Sequence, residues 1–287
     1  MTAALRNLRR LLTAGTVLPT LCFALADPAA AIEPEQRDAV RVCADGNMLP
    51  YSNEKLEGFE NRIAEMIGKD LGVPVVYTWW PATIGFVRNT LRAHKCDVII
   101  GTAEGDPMMQ HTNPYYRSTY SLIVRGGDRA PKDLADPAMK QARIGIVAQT
   151  PGATLVNRLG LTNIEPYPLN TDTRVDNPAR RAVEDVASGL TDATVIWGPI
   201  AGYYAAQQKV PLTVVPLTDA GQPKLDFGIT MGVRPDEPNW KHWLNDFIVR
   251  HQGEIDGILA EYHVPRVDEN GKVLAQGTPE PGAASAR

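Results

Sequence analysis

The sequence predicts an α/β fold of two lobes, a clamshell in which each lobe is a mostly parallel sheet flanked by helices. Short apolar strands alternate with amphipathic helices between residues 39 and 101, and the same alternation begins again at residue 143. Strands that alternate with helices in this way pair in parallel through right-handed crossovers. Extended segments cross between the two units. We therefore expect one lobe from residues 38–122 and 230–265 and the other from residues 123–229.

The first unit contains three strands and two helices. Its strands are short apolar runs bounded by turn residues, at 39–44, 75–79 and 97–101. The first helix is predicted by apolar residues at helical spacing, namely Phe59, Ile63, Met66, Ile67 and Leu71. Gly72 ends this helix, and Pro74 prevents its continuation. The second helix is indicated by the spacing of Ile84, Val87 and Leu91.

The second unit repeats this order of elements. A strand at 143–147 is followed by a helix that opens at Thr150-Pro151-Gly152. A strand at 164–167 is followed by a helix that Asn177 caps, with an apolar face made of Ala182, Val183, Val186 and Leu190. A buried strand at 192–196 completes the unit.

The chain then returns to the first lobe through an extended segment at 227–233. Two helices are predicted after it, because apolar residues recur at helical spacing in two groups. The first group is Trp240, Trp243, Leu244, Phe247 and Ile248, and the second is Ile255, Ile258, Leu259 and Tyr262. The Gly-, Pro- and Ala-rich residues 266–287 are expected to form a flexible C-terminal tail.

Residues 1–26 have the features of a signal peptide. Arg6, Arg9 and Arg10 precede a mostly apolar stretch, which ends in a cleavage site of the Ala-x-Ala kind at Ala24-Leu25-Ala26. The apolar stretch is too short to span a bilayer, so we expect a soluble protein exported to the periplasm. Loss of the three arginines leaves 26 of the 29 basic residues against 33 acidic ones, a net charge of −7. Such an acidic chain is a poor candidate for binding nucleic acid or anionic membranes.

Two cysteines remain after removal of the signal peptide, Cys43 and Cys96. In an oxidising compartment an even pair can form a disulfide, whereas the alternative is two separate buried thiols. The first and third strands of the first unit should be adjacent and parallel, and this arrangement places the two residues close together. We therefore favour a disulfide between them.

Ligands of open α/β sheets bind beyond the carboxyl ends of the strands, which predicts a site in the cleft between the lobes. The loops expected to face this cleft are 45–53, 102–106, 149–152 and 197–199. The candidate ligand- or partner-binding residues on or near these loops are Asp45, Tyr51, Trp80, Thr102, Glu104, Thr150, Trp197 and Tyr203.

Each kind of candidate also has a plainer interpretation. The aromatic residues could belong to ordinary core and lobe packing, which we favour for Trp79 but not for Tyr51 and Trp197. Thr150 could simply cap its helix, as many threonines do. The acidic residues of the first lobe could bind a cation, but solvated loop acids are the favoured interpretation of Asp45, Glu57, Glu60, Glu104 and Asp106.

The sequence contains none of the patterns that indicate a common catalytic or metal site. It has no serine elbow, Cys–His pair or phosphate-binding loop, and its five histidines are scattered. We predict neither a cofactor nor a metal site and expect a protein that is not an enzyme. The one enzymatic alternative is a dehydratase or lyase that works with paired carboxylates in the cleft.

Several segments, in this order and at this spacing, resemble the periplasmic solute-binding proteins of the polar amino-acid type, family 3. They are Gly58-Phe59-Glu60, Cys96-Asp97-Val98-Ile99-Ile100, Asn113-Pro114-Tyr115-Tyr116 and Asp192-Ala193-Thr194-Val195-Ile196. The resemblance implies the type II periplasmic binding protein fold and extends over most of residues 38–265. It also implies a clamp for zwitterions. One arginine in the loop after the third strand binds the carboxylate, and one carboxylate in the second lobe binds the ammonium.

Both halves of this clamp are missing from the sequence. The loop between Gly101 and Tyr116 contains no arginine, and Trp197 stands five residues after Asp192, where the family places its carboxylate. A bound amino acid would leave two charges desolvated without partners, at a cost of several kcal/mol. Amino-acid binding is therefore not expected.

A narrower resemblance is carried by further segments together with the clamp-less loop. They are Arg41-Val42-Cys43-Ala44-Asp45, Leu49-Pro50-Tyr51-Ser52-Asn53-Glu54, Gly58-Phe59-Glu60-Asn61 and Thr78-Trp79-Trp80-Pro81. These resemble the J proteins encoded with methanol dehydrogenases, the MxaJ and XoxJ group, with the XoxJ branch favoured. The resemblance implies a partner, a methanol dehydrogenase dependent on pyrroloquinoline quinone (PQQ), with the lanthanide type favoured over the calcium type. It implies an accessory protein, monomeric when free, that engages the dehydrogenase as a chaperone or activator. The alternative is a transport receptor for a less polar solute.

Overall fold

The computed structural model describes residues 33–126, 131–218, 221 and 223–275, and the predicted signal peptide lies outside them. The six α-helices of this part of the chain are α1 (Phe59–Leu71), α2 (Phe86–Asn89), α3 (Pro151–Arg158), α4 (Pro178–Ser188), α5 (Gly198–Ala206) and α6 (Pro238–Glu261). Its strands are β1 (Val40–Ala44), β2 (Asn47–Met48), β3 (Ser52–Asn53), β4 (Val75–Trp79), β5 (Ile99–Ala103), β6 (Gln110–His111), β7 (Tyr116–Arg125), β8 (Ile144–Val147), β9 (Ile164–Tyr167), β10 (Ala193–Trp197), β11 (Leu212–Pro216) and β12 (Asp226–Val233).

Two strands, β7 and β12, connect the lobes. The order of strands through the main sheet is β5-β12-β7-β10-β8-β9. The first residues of β7, from Tyr116 to Thr119, pair with β12, and its last residues pair with β10 and β11. In the first lobe β1 pairs in parallel with β4 and bridges the segment before β5 at Val42 and Val98. The architecture is the predicted α/β clamshell.

The buried apolar residues form separate cores on the two sides of these crossing strands. The first-lobe core packs α1 and α6 against β1 and β12, with Phe59, Trp240 and Phe247 among its largest side chains. The second-lobe cores lie on the two faces of the sheet formed by β8 and β10, against α3 on one face and α4 and α5 on the other. Each lobe therefore has its own hydrophobic support, and the cleft lies between the two.

Several helices begin and end where the sequence predicts. The side chain of Thr150 accepts a hydrogen bond from the backbone N–H of Ala153, 3.3 Å away, and so caps α3. Asn177 caps α4 in the same way. Gly72 ends α1 with a φ angle of 70°, a left-handed conformation that glycine adopts without strain. The αL residue at this position allows the chain to turn directly into β4.

The C-terminal helical region is one helix rather than the two predicted. α6 runs without interruption through Gly253 and Gly257, whose Cα atoms face open space. Glycine in a helix costs only about 1 kcal/mol relative to alanine, and the apolar face continues on both sides of the pair. The helix predicted from Ile84 is also shorter than expected, because Ile84 is 82% exposed and α2 has only four residues. Helix α5 and strand β11 were not predicted, since α5 is apolar on all sides and shows no helical period.

The disulfide expected from the sequence is present between Cys43 and Cys96, with Cα atoms 5.4 Å apart. The backbone N–H of Cys43 donates to the carbonyl of Val98 at 2.9 Å, which holds β1 beside the segment that contains Cys96. Both cysteines are buried. The disulfide thus fixes the first strand to the loop that leads into β5.

The packed chain continues beyond residue 266, where the flexible tail was expected to begin. Arg266 is buried and pairs with Asp256 at 2.6 Å, and Val267 is fully buried. Val267 and Val273 then pair in an antiparallel β-bridge, so the chain turns back on itself between them. Residues 276–287 of the expected tail lie outside the described residues. Within the described part of the chain, no helix has the length and apolar character needed to cross a membrane.

Candidate functional site

A cavity of about 440 Å³ lies between the lobes, at the ends of the crossing strands. The first lobe contributes residues from β1, α1 and β5, and the second contributes Pro151 at the start of α3 and Trp197 at the end of β10. The crossing strands also contribute, with Tyr120 of β7 and Phe227 of β12 among the lining residues. Residues that are distant in sequence meet at this cavity because β7 and β12 both pass along its wall.

Of the eight residues predicted for the cleft, Asp45, Tyr51, Thr102 and Trp197 line this cavity. Thr150 lines a smaller pocket of about 130 Å³. The two cavities share four lining residues, including Trp197, so they lie next to each other. These five residues therefore lie in a single region of the molecule.

The other three predicted residues lie outside the lining of this cleft. Lys95 places its ammonium 4.9 Å from the ring centre of Trp80, on a different surface. Glu104 forms an ion pair with Arg117 at 3.5 Å. Tyr203 lines a separate groove of about 540 Å³. The sequence cannot distinguish these positions from cleft positions, since all three stand close to loops that do reach the cleft.

Aromatic rings form much of the wall of the cavity. The ring centre of Trp197 lies 5.4 Å from that of Tyr120 and 5.9 Å from that of Phe227, in edge-on arrangements that aromatic pairs favour. Tyr51 and Tyr116 contribute further rings from the first lobe. Burial raises the pKa of both tyrosines well above the ordinary value, so both phenols stay neutral. The wall offers a large apolar contact surface with few polar atoms.

Among residues 33–126, 131–218, 221 and 223–275, every charged side chain that lines the cavity is acidic. The lining includes Asp45, Glu60 and Asp106, and no lysine, arginine or histidine of the described residues belongs to it. A carboxylate that entered the cavity would find no cationic side chain in its wall. The electrostatic character of the site is therefore opposite to that required for binding an anion.

The carboxylate of Asp45 is fully engaged in hydrogen bonds. The hydroxyl of Thr173 donates to it, 2.7 Å from Oδ1 and 2.8 Å from Oδ2. The backbone N–H groups of Asn47 and Ala82 donate to it at 2.9 and 2.7 Å. Because Thr173 belongs to the second lobe, Asp45 connects the two lobes directly.

Further hydrogen bonds between the lobes lie beside this contact. The side chain of Asn47 donates to the carbonyl of Thr173 at 2.6 Å. The phenol of Tyr204 donates to the carbonyl of Leu49 at 2.9 Å. These contacts hold the 45–53 loop directly against the second lobe.

Solvated loop acids were the favoured interpretation of Asp45 and Glu60 alike, but both line the cavity, and Asp45 is buried. Glu60 lies in the first turn of α1 and reaches the cavity wall next to Gly101. Burial raises the pKa of Glu60 to about 8, with no neighbouring charge to oppose the effect. In the sequence, the signal that Glu60 lies near the protein interior was its place directly after the apolar Phe59, which is buried.

Within the described part of the chain, no group of three or more His, Cys, Asp or Glu side chains is arranged to hold a metal ion. The acids that line the cavity are spread around its wall, and Asp45 already has its full set of donors. The site is therefore apolar and aromatic, with one carboxyl group that has no partner.

Comparison with known proteins gives a consistent result. A model of the bacterial extracellular solute-binding proteins, family 3, matches residues 40–265. Protein MoxJ of Methylorubrum extorquens is 32% identical over 258 residues, which covers 82% of this chain and 84% of MoxJ.

Two solved structures are also similar to the chain. The crystal structure of the periplasmic binding protein XoxJ from Methylobacterium extorquens AM1 has a TM-score of 0.69 and 39% identity, covering 80% of this chain and all of the other. The crystal structure of MxaJ from Methlophaga aminisulfidivorans MPT has a TM-score of 0.69 and 24% identity, covering 79% of this chain and all of the other. The similarity to XoxJ extends to sequence, whereas the similarity to MxaJ is evidence of the fold.

Proposed function

Because the chain belongs to the bacterial extracellular solute-binding proteins of family 3, with MoxJ and XoxJ among its relatives, we propose that it is a periplasmic accessory protein of a PQQ-dependent methanol or alcohol dehydrogenase. It acts as a binding protein rather than as an enzyme. It receives the dehydrogenase, or a segment of it, in the aromatic cleft, and this contact assists activation or maturation. The lanthanide type of dehydrogenase is favoured, since identity is 39% to XoxJ and 24% to MxaJ.

The observation that carries this proposal is the charge of the cavity. An amino-acid receptor needs a cation for the carboxylate of its ligand, and none of the lining residues that the structure describes is Lys, Arg or His. Trp197 occupies the place from which the family contributes a carboxylate for the ammonium. Both changes act against the same class of ligand, so we infer that the cleft has lost amino-acid binding.

The aromatic wall supports a protein ligand in place of an amino acid. Tyrosine and tryptophan dominate the energetics of protein interfaces, because their rings bury a large area at a small entropic cost. Trp197 lies at the centre of such a group, between Tyr120 and Phe227. We expect Trp197 to make the largest single contribution to the contact with the dehydrogenase.

A pair of tryptophan variants tests this proposal. Trp197→Ala should weaken binding of the purified dehydrogenase by roughly 30-fold, the effect of losing a contact worth about 2 kcal/mol. Trp80→Ala is the matched control, since it removes the same side chain outside the cavity lining. Affinity is measured by calorimetry on the processed protein, with circular dichroism to verify folding. If both variants bind the dehydrogenase as tightly as the unmodified protein does, the contact with the dehydrogenase does not lie in the cleft.

The second candidate function is a receptor for a small molecule other than an amino acid. The volume of about 440 Å³ favours it, because small-molecule pockets generally fall between about 300 and 1,000 Å³. In this case a neutral, apolar solute should bind tightly and the dehydrogenase should not bind. Calorimetry with the dehydrogenase and with such solutes separates the two functions.

A further inference from the structure

The three carboxylates that line the cavity differ in whether their oxygens have partners. Asp45 accepts hydrogen bonds from Asn47, Ala82 and Thr173. Asp106 accepts one from the backbone N–H of Met108 at 2.9 Å. Among the described residues, no donor or cation stabilises the carboxyl group of Glu60, whose pKa shift comes from burial alone. Glu60 is therefore the acid in the cavity that lacks a partner.

The position of Glu60 is determined by close contact with Gly101. A Cβ atom added to Gly101 would lie 1.8 Å from Oε1 of Glu60 and 3.4 Å from Oε2. No side chain larger than hydrogen fits at residue 101 while the carboxyl group stays in this place. Oε1 of Glu60 thus lies against strand β5, and Oε2 is turned further away from that strand. One oxygen is free to meet a ligand.

The titratable side chains near Glu60 cannot supply a positive charge. They are tyrosines, whose pKa values burial raises, and the nearby charge of Glu60 raises them further: Tyr51, Tyr77, Tyr115 and Tyr116. These phenols are neutral at physiological pH and surround the carboxyl group with rings. A buried carboxylate without a countercharge is unfavourable, and it becomes favourable when a cation pairs with it. A cationic ligand would supply that charge.

We propose that Glu60 receives a lysine side chain of the bound partner, with its ammonium on the free carboxylate oxygen and its aliphatic stem against the aromatic rings. This inference rests on the proposed function, since it specifies what the partner inserts into the cleft. A compact ammonium suits one free oxygen, whereas a guanidinium needs two in a fork. The aromatic faces add a favourable interaction with the cation. Asp45 and Asp106, already engaged, add negative potential in the same cavity.

The direct test uses three small probes, with binding followed by intrinsic tryptophan fluorescence and by calorimetry at pH 7. Nα-acetyl-lysine N-methylamide represents lysine within a chain, n-butylammonium represents a free amine, and n-butanol is the uncharged control. The two cations should bind saturably and at least tenfold more tightly than n-butanol. Binding of the cations should release close to one proton, because Glu60 must ionise to pair with the ammonium. Binding that does not depend on the charge of the probe would overturn the proposal.

Two variants on the same helix make the test specific. Glu60→Gln should lower the affinity for both cations at least tenfold, whereas Glu65→Gln, an exposed acid of α1, should leave it unchanged. Glutamine removes the charge without changing the size of the side chain, so the variant is expected to fold. Equal loss in both variants, or no loss in Glu60→Gln, would overturn the proposal. Binding of n-butylammonium without binding of the blocked lysine would overturn the assignment to a lysine side chain.

Titration of the dehydrogenase distinguishes this inference from the proposed function. Glu60→Gln should weaken dehydrogenase binding at least tenfold. If the dehydrogenase binds both forms equally, the lysine contact is wrong and the accessory function stands. If the cations bind through Glu60 but the dehydrogenase does not bind at all, the accessory function is wrong and the cavity recognises amines from another source.

Discussion

Replacement of Glu60 by glutamine should remove a strong pH dependence from the stability of the free protein. The pKa of Glu60 is about 8 in the folded state, against an ordinary value of 4.5. The folded state therefore holds this proton more tightly than the unfolded state does. Its contribution to stability is complete below pH 4.5 and is lost progressively as the pH rises to 8.

The size of the effect follows from one proton exchanged over this range. Stability changes by about 1.4 kcal/mol per pH unit for each proton that only one state binds. Between pH 5 and pH 7 the loss is up to about 3 kcal/mol, an upper bound because Glu60 keeps some contact with solvent. Glu60→Gln has no carboxyl group at this position, so it should be free of this loss and more stable than the unmodified protein at pH 7.

Urea unfolding at pH 5 and pH 7 measures this difference. The unmodified protein and Glu65→Gln should lose the additional stability between the two pH values, and Glu60→Gln should not. Other groups titrate in all three proteins alike, so the comparison isolates Glu60. The same pH dependence in all three, within about 0.5 kcal/mol, would refute the burial of an unpaired carboxyl group at this site.

Three further substitutions test the structure around the cleft. Replacing Cys43 and Cys96 by alanine opens a loop whose ends are 53 residues apart and should lower the free energy of unfolding by about 4 kcal/mol; a thiol assay on the denatured, unreduced mature protein should find no free cysteine. Thr173→Val removes a hydroxyl donor from the buried carboxylate of Asp45, so unfolding in urea should show a loss of about 1–3 kcal/mol, and an unchanged midpoint would contradict the contact between the lobes. Gly101→Ala would place a methyl group 1.8 Å from the carboxylate oxygen opposite it, so the Glu60 side chain must shift and the variant should bind n-butylammonium more weakly; unchanged binding would show that the ammonium does not depend on this position of the carboxyl group.

The elements and the disulfide could be predicted because they depend on local patterns. Apolar spacing, the cap at Thr150 and the glycine at residue 72 act within a few residues, and these elements begin and end close to where they were expected. The pairing of Cys43 with Cys96 followed from the order of strands alone. The uninterrupted α6 was missed, because tertiary packing of its apolar face outweighs the cost of two glycines.

The chemistry of the cleft was harder to predict, since it depends on which side of a strand or helix faces the cavity. Of two adjacent tryptophans, Trp79 stacks on Tyr77 with ring centres 4.5 Å apart, and Trp80 faces Lys95 instead of the cleft. Glu60 resembles an ordinary acid of a first helical turn until Gly101, from a distant strand, is seen beside it. Burial and missing partners are properties of the folded chain, and no local pattern reports them.

Titration of the purified dehydrogenase into the mature protein is the decisive test of the proposed function. We predict saturable binding, a weakening of roughly 30-fold by Trp197→Ala and none by Trp80→Ala, and no detectable binding of free amino acids that lack a cationic side chain to the same preparation. Tight binding of an amino acid, with no binding of the dehydrogenase, would contradict it.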